Sequence, residues 1–351
     1  MPQPEKIALQ CPMPKFDFDM ITMGHGSGGL LTHRLLQSGV FDILKNDLLD
    51  QQHDGASFHL NGNVAFSTDS YVISPVFFPG GNIGDLAVNG TVNDLAMCGA
   101  QAQYLSLAFI IEEGLLMEEF WRILVSIKEA ATRANVKIVT GDTKVVEKGK
   151  GDKIFVNTSG IGFIHENASI HHRNITSGDK IIVSGNIATH GMAIMSVRQG
   201  LEFESDIKTD STNLNHTVMK LLDEFGYGIK FLRDPTRGGV ASVLNEIAEL
   251  TQLGYHLDQK LIPVDERVDS ACEMLGLDPL YVANEGIFMA VVSAAVAGQF
   301  VEALRNDPNG SNASVIGQVS ELQPGKVTMR SRIGGTCIVS YLTGEQLPRI
   351  C

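Results

Sequence analysis

Helix-patterned and strand-patterned segments alternate along both halves of this chain, and that alternation limits its possible folds more than any other feature. Met117 to Asn135 is the clearest segment. Phe120, Ile123, Leu124, Ile127 and Ala131 fall on one helical stripe, the spacing that buries one face. Asn82 to Met97 predicts a second helix, with Leu86, Val88, Val92, Leu95 and Ala96 among its apolar positions. Leu105 to Ile111, Lys137 to Thr140 and Ile154 to Ile164 predict strands. A polar, turn-rich stretch from His165 to Gly178 then marks a domain boundary. Beyond it the pattern resumes: a strand at Lys180 to Ser184, a helix from about His190 to Arg198, and a helix from Val240 to Leu250 with Val243, Leu244, Ile247 and Leu250 inward. Asn284-Glu285-Gly286 precedes a strand at Ile287 to Val292. At 351 residues the chain is too long for one ordinary core, so two α+β domains are expected. The similar alternation hints at a duplicated plan, although no sequence repeat proves one.

A net charge of −13 argues against a nucleic-acid partner, because phosphate backbones select basic surfaces. It leaves a nucleotide open, since metal ions bridge acidic protein to phosphate. The longest apolar run, Ile287 to Ala297, is too short to span a bilayer and predicts a buried strand. Met1 to Asp19 has no apolar stretch of the signal-peptide kind. Cys11, Cys98, Cys272, Cys337 and Cys351 lie far apart with no C-x-x-C pair, which fits a reducing cytoplasm and no thiolate zinc site.

Glycine carries the first chemical signal. The 36 glycines exceed the usual share of about 7 % and gather at Gly24-His25-Gly26-Ser27-Gly28-Gly29, Gly80-Gly81, Gly238-Gly239 and Gly334-Gly335. Such clusters make simple turns or bring backbone close to a ligand. Several beside charged residues favour a phosphate site. No G-x-x-x-x-G-K-[ST] occurs, and the glycine run at 24–29 lacks a clear preceding strand, so neither a Walker loop nor a Rossmann turn fits.

Four acidic motifs, expected at loop or element ends, carry the second signal: Ser67-Thr68-Asp69-Ser70, Val92-Asn93-Asp94, Gly141-Asp142-Thr143-Lys144 and Arg233-Asp234-Pro235-Thr236. Any one of them is a cap or a turn as readily as a ligand. Together they suggest carboxylates for a hard cation such as magnesium, with Lys144 and Arg237 supplying positive charge to phosphate oxygens.

The tail Pro348-Arg349-Ile350-Cys351 ends on a thiol. A terminal residue is hard to bury, so Cys351 is either an incidental exposed thiol or a carrier. Thr343 to Cys351 extends roughly 30 Å at about 3.3 Å per residue. The adjacent α-carboxylate raises the thiol pKa and the Arg349 guanidinium lowers it.

These residues resemble the HypE family of hydrogenase maturation proteins, in the superfamily of aminoimidazole ribonucleotide synthetase and selenophosphate synthetase. The matching segments are MGHGSGG (23–29), Ser67 to Ala100, IVTGDTKVVEKG (138–149), RDPTRGG (233–239), LGLDPLYVANEG (275–286) and the terminal PRIC. The terminal PRIC is the element specific to the family. Asn89 stands where a cysteine is common, and Thr189 where an aspartate is.

The resemblance implies a two-domain PurM-like fold. Its parts would be an arm and glycine loop at 1–40, an ATP-binding and dimerisation domain at 41–166 whose sheet pairs into a barrel in a homodimer, a C-terminal α/β domain at 167–330, and a segment with a flexible carrier tail at 331–351. Leu105 to Ile111 would contribute to the dimer contact. The resemblance further implies that a carbamoyltransferase, HypF, loads Cys351, that ATP drives dehydration of the S-carbamoyl group to an S-cyanate, and that cyanide passes to a HypC–HypD complex building a nickel-iron centre. By motif match, Asp69, Asp94, Asp142 and Asp234 would hold Mg2+. Gly24, His25, Gly26, Ser27, Gly28, Gly29, Asn93, Lys144, Thr236 and Arg237 would bind the nucleotide. Glu285, working with Lys144, would remove the nitrogen protons from the group on Cys351. Two other readings stand beside it: a selenophosphate synthetase-like enzyme, against which Cys11 is followed by Pro12, and an ATP-gated scaffold without catalysis.

Overall fold

The first half is organised by a helix with almost no exposed side. A computed structural model describes residues 13–14, 18–51, 55–199 and 207–342. Its strands are β1 (Val64–Tyr71), β2 (Phe77–Phe78), β3 (Gly81–Asn82), β4 (Ala100–Glu112), β5 (Lys137–Val146), β6 (Ile154–Ile164), β7 (Lys180–Val183), β8 (Ile229–Arg233), β9 (Gly254–Asp258), β10 (Met289–Val292), β11 (Ser314–Ser320), β12 (Val327–Arg330) and β13 (Thr336–Val339). Its helices are α1 (Leu30–Leu35), α2 (Asp42–Leu44), α3 (Ile83–Met97), α4 (Met117–Ala134), α5 (Thr189–Arg198), α6 (Asn215–Phe225), α7 (Gly239–Thr251), α8 (Glu266–Leu275) and α9 (Ala297–Arg305).

A capping box starts α3. Asn82 Oδ1 accepts the Gly84 N–H at 2.8 Å, and Asp85 Oδ1 accepts the Asn82 N–H at 2.7 Å. Every residue of α3 except Asp94 is buried. A helix apolar nearly all round needs cover on all sides. The first sheet, α4 and the second domain supply it.

That first sheet runs β1-β6-β4-β5, with α3 and α4 on one face only. β4 and β5 are parallel, joined by the α4 crossover; the other pairs are antiparallel. Residues paired across strands share a face. Asp69 pairs with Thr158, whose hydroxyl donates to the Ala87 carbonyl of α3, so Asp69 faces the helices. Ser70, Asn157, Ala108 and Asp142 form one row on the opposite, open face, and Phe155, Ile110 and Lys144 form the next.

The second sheet runs β13-β12-β9-β11-β7-β10-β8 and is covered on both faces. Ile181, Val183, Met289 and Val291 pack with α5, α7 and α8; Ile182, Ala290 and Val292 pack with α6, α9 and the end of α3. A strand buried on both faces shows no alternation in its sequence. The Ile287–Ala297 run therefore looked like one strand, yet only Met289–Val292 is strand and Ala297 begins α9. The two halves are not copies of one plan, because one sheet has four strands covered on one face and the other has seven covered on both.

Three expected boundaries move. Ile21, Leu35, Val40, Ile43 and Leu44 are buried in the first core, so the chain joins that domain well before residue 41. β13 pairs with β12, which carries the second sheet past residue 330 to Val339. β5 continues through Gly141-Asp142-Thr143-Lys144 to Val146 because β4 offers partners as far as Glu112. The acidic motifs likewise sit inside elements more than at their ends: Asp69 is within β1, Asp94 in the last turn of α3 and Asp142 within β5, and only Asp234 follows a strand. β4 lies inside its sheet, so Leu105 to Ile111 is not an exposed edge. Among the described residues no helix is long and apolar enough to cross a membrane.

Candidate functional site

Five carboxylates gather where α3 meets the second domain. Asp94 accepts a hydrogen bond from Ser67 Oγ at 2.7 Å, which ties the end of α3 to β1. Asp69 lies two residues further along β1 on the same face. Asp234 leaves the end of β8 and is buried. Glu285, 4 % exposed, approaches from the segment before β10. Asn284 anchors that segment: its Nδ2 donates to the Pro235 carbonyl at 2.8 Å and its Oδ1 accepts the Ala188 N–H at 2.7 Å. Asp210 completes the group, its carboxylate accepting the Glu285 N–H at 3.2 Å.

Like charges brought together out of water are held protonated. Burial, and then the charge of Asp94, lifts Asp234 to about 7. Burial raises Asp94, and the Asp69 charge adds to it, while the Ser67 hydrogen bond and the Arg233 and Arg237 charges oppose the shift. Glu285 is raised well above the carboxylate range by burial and then by Asp234, Asp210, Asp69 and Asp94. Burial lifts Asp210 to about 6 against three backbone hydrogen bonds. Among the described residues, Glu285 Oε1 is buried without a hydrogen-bond partner.

A second group sits on the open face of the first sheet. Lys144 Nζ and Asp142 Oδ1 are 2.6 Å apart and both side chains are exposed. The Lys144 hydrogen bond holds Asp142 below its usual value. The glycine loop docks at the edge of the sheet on β5, against Val145 of the helix-covered side: a Cβ on Gly26 would lie 2.7 Å from both Cβ and backbone N of Val145, so only glycine fits. His25 is buried under the loop, its Nδ1 accepting the Thr22 N–H at 3.0 Å. Ser27 Oγ donates to the Gly24 carbonyl at 3.0 Å, and Gly28 and Gly29 are exposed.

The AIR synthase related protein families match the two halves, the N-terminal domain at residues 52–164 and the C-terminal domain at 176–330. A protein of Bradyrhizobium diazoefficiens named carbamoyl dehydratase HypE is 46 % identical over 332 residues, covering 94 % of this chain and 96 % of the relative. A crystal structure of the hydrogenase maturation protein HypE in complex with ATP superposes with a TM-score of 0.91 at 46 % identity, over 94 % of this chain and 99 % of that one. The chain belongs to the HypE family. A crystal structure of a HypE–HypF complex is also similar, with a TM-score of 0.78 at 44 % identity over 90 % of this chain and 100 % of that one.

Set against this HypE-family fold, the expected site residues separate into three places. Asp69, Asp94, Asp234, Glu285 and Arg237 come together at the domain joint; Asp142 and Lys144 lie on the open face of the sheet, and Gly24 to Gly29 lie at its β5 edge, against Val145 of the helix-covered side. Within one chain Asp142 therefore does not join the other three aspartates, and Lys144 does not reach Glu285. Among the described residues no three His, Cys, Asp or Glu side chains are grouped to hold a metal ion alone. Asn93, expected to bind the nucleotide, clamps the two domains together. Its Nδ2 donates to Thr212 O at 3.0 Å and Glu285 O at 3.3 Å, and its Oδ1 accepts the Leu214 N–H at 2.8 Å. Thr236 lies in the loop after β8, where its carbonyl accepts the Gly239 N–H. Cys351 falls outside the described residues.

Asp210, Ser67 and Arg233 went unrecognised in the sequence. Arg233 was part of the RDPTRGG motif, and its charge beside Asp94 and Asp234 is a fact of packing. Asp210 stands in the polar run Thr209-Asp210-Ser211-Thr212-Asn213, which resembles an ordinary loop.

Proposed function

We propose that this chain is an ATP-dependent carbamoyl dehydratase that makes the cyanide ligand of a nickel-iron hydrogenase on its own C-terminal cysteine. The observation that carries the reading is the buried carboxylate group around Glu285, in a chain 46 % identical over most of its length to a carbamoyl dehydratase and superposable on an ATP-bound relative.

The substrate is the thiocarbamate Cys351–S–C(=O)–NH2. Its carbonyl oxygen attacks the γ-phosphorus of ATP and ADP leaves. The C–O bond then breaks, releasing phosphate, as the two nitrogen protons depart and S–C≡N forms. The oxygen and both protons together account for one water, taken up in converting ATP to ADP and phosphate. In its ionised form Glu285 is suited to take a nitrogen proton, since Oε1 has no hydrogen-bond partner among the described residues and burial raises the carboxylate's affinity for a proton. Arg237, exposed at the joint, is suited to phosphate oxygens.

Magnesium is proposed to bind between these carboxylates and the nucleotide. Asp69, Asp94 and Asp234 repel one another but are not grouped closely enough to hold an ion by themselves, so phosphate oxygens would have to complete the shell of a hard cation. When bound, it would neutralise charge on the triphosphate.

Two of the competing thiols, Cys98 and Cys272, are poor acceptors. Burial raises the Cys98 thiol, with Asp94 and Asp234 adding to it, and burial lifts Cys272 to about 12. HypF, the partner of the relative in the HypE–HypF complex, is the proposed carbamoyl donor, and a HypC–HypD complex the acceptor of cyanide, all in the reducing cytoplasm.

The enzyme is proposed to work as a homodimer. Phe66, Ile110, Phe155, Ile161 and Phe163 lie on the open face of the first sheet, Phe66 at 67 % exposure. A second copy on this face covers them. It also brings Asp142 and Lys144 to the subunit junction, where two half-sites divided by the sheet serve one reaction.

Intact-mass analysis of the full chain with HypF, carbamoyl phosphate and ATP tests the reading. A carbamoyl adduct on Cys351, followed by loss of one water only with ATP, is expected. An adduct on another cysteine in Cys351→Ala, or ATP hydrolysis without loss of water, would overturn it.

A further inference from the structure

Residues 209–214 cross between the domains as a strap tied along its length. The Thr209 N–H donates to the Pro79 carbonyl at 2.9 Å, and its hydroxyl pairs with Nδ1 of the buried His190 at 2.7 Å. The Ser211 N–H returns to Thr209 Oγ1 at 3.0 Å, and Asn89 Nδ2 donates to Ser211 Oγ at 3.1 Å. Asn93 holds Thr212 and Leu214. Asp210 sits between these ties, with its two carboxylate oxygens 3.2 and 3.4 Å from the Glu285 backbone nitrogen.

Glu285 is thus gripped at both ends of its backbone, by Asp210 at its N–H and by Asn93 at its carbonyl. The next residue is Gly286, where a Cβ would lie 1.6 Å from the Asp210 carbonyl oxygen. The strap passes at a distance only glycine permits. The Glu285 side chain is treated in the opposite way: Oε1 is buried and left without a partner among the described residues. An unpaired buried acceptor is costly, and a fixed backbone carrying a spare carboxylate oxygen is the arrangement a positioned base requires.

We propose that Asp210 is a positioning residue for Glu285, holding its peptide so that the spare carboxylate oxygen meets the reacting group. The inference rests on the assignment of Glu285 as the base. Asp210 itself touches no substrate and acts through the Glu285 N–H.

Single-turnover dehydration of the carbamoylated full chain, paired with calorimetric ATP titration, provides the test. Asp210→Ala should slow dehydration about 10-fold or more, within the scale of losses from small misplacements, while ATP affinity stays within about 3-fold. Asp210→Asn keeps an oxygen that accepts the same N–H and should recover most of the rate. In a Glu285→Gln background Asp210→Ala should add little, because there is no base left to misplace. Gly286→Ala, which pushes the strap away without altering either carboxylate, should reproduce the Asp210→Ala loss. Wild-type rates in Asp210→Ala or Gly286→Ala, an Asp210→Asn as slow as the alanine variant, or independent losses in the double variant would each overturn the proposal. A wild-type chain that stays carbamoylated with ATP would instead defeat the dehydratase reading itself.

Discussion

Asn93 and Glu285 stand on different domains and share a hydrogen bond, Asn93 Nδ2 donating to the Glu285 carbonyl at 3.3 Å. The same side chain fixes Thr212 and Leu214, so one residue of α3 sets the distance between the aspartate cluster and the proposed base.

Removing that clamp should cost stability. Asn93→Ala leaves the Leu214 N–H and the Thr212 and Glu285 carbonyls without their partner. At about 1–3 kcal/mol for a buried unsatisfied group, a loss of about 2–4 kcal/mol is expected in urea unfolding. A loss below about 0.5 kcal/mol would mean that the domains do not depend on this contact.

The carboxylate cluster sets a pH dependence. Asp234 titrates at about 7 in the folded chain against 3.8 for the free group, so the folded state holds a proton that the unfolded state has released. Stability is therefore highest below about pH 4 as far as this group is concerned, falls as pH rises to about 7, and then levels off. Asp234→Asn should flatten that fall, measured as melting temperature between about pH 5 and pH 8. An unchanged slope would show that Asp234 ionises normally.

Glu285→Gln keeps the shape and a hydrogen-bonding group but loses the base. ATP affinity should stay within a few-fold while dehydration slows by roughly 10²-fold, the scale of general-base loss. Titration calorimetry and mass-resolved single turnovers separate the two effects. Dehydration at the wild-type rate would move the base elsewhere.

The open sheet face should control assembly. Phe66→Asp places a charge beside Ile161 and next to Phe163 on the open face while leaving the helix-covered core untouched. Analytical ultracentrifugation at micromolar concentration should show a dimer for the wild-type chain and a shift to monomer for the variant. A monomeric wild-type chain would reject the dimer.

The sequence on its own determined the α+β class, because strand and helix periods follow from which face of each segment is buried. α4 shows this most plainly: its apolar stripe from Phe120 to Ala131 is buried in the structure as its spacing requires. The sequence also held the RDPTRGG and NEG motifs, and with them Asp234, Arg237 and Glu285. Tertiary structure alone decided which residues act together. Asp69 and Asp142 lie in similar Ser/Thr/Gly settings, yet strand pairing turns one toward α3 and the other toward the open face. Asn93 was expected to bind the nucleotide, and folding turns its amide to Thr212, Leu214 and Glu285 of the second domain. Asp210 looked like part of a loop until folding set it against the Glu285 N–H. Local pattern records what each segment must bury. It carries no information about which distant carboxylate or amide will lie across a domain joint, since that depends on strand register and on the packing of domains far apart in sequence.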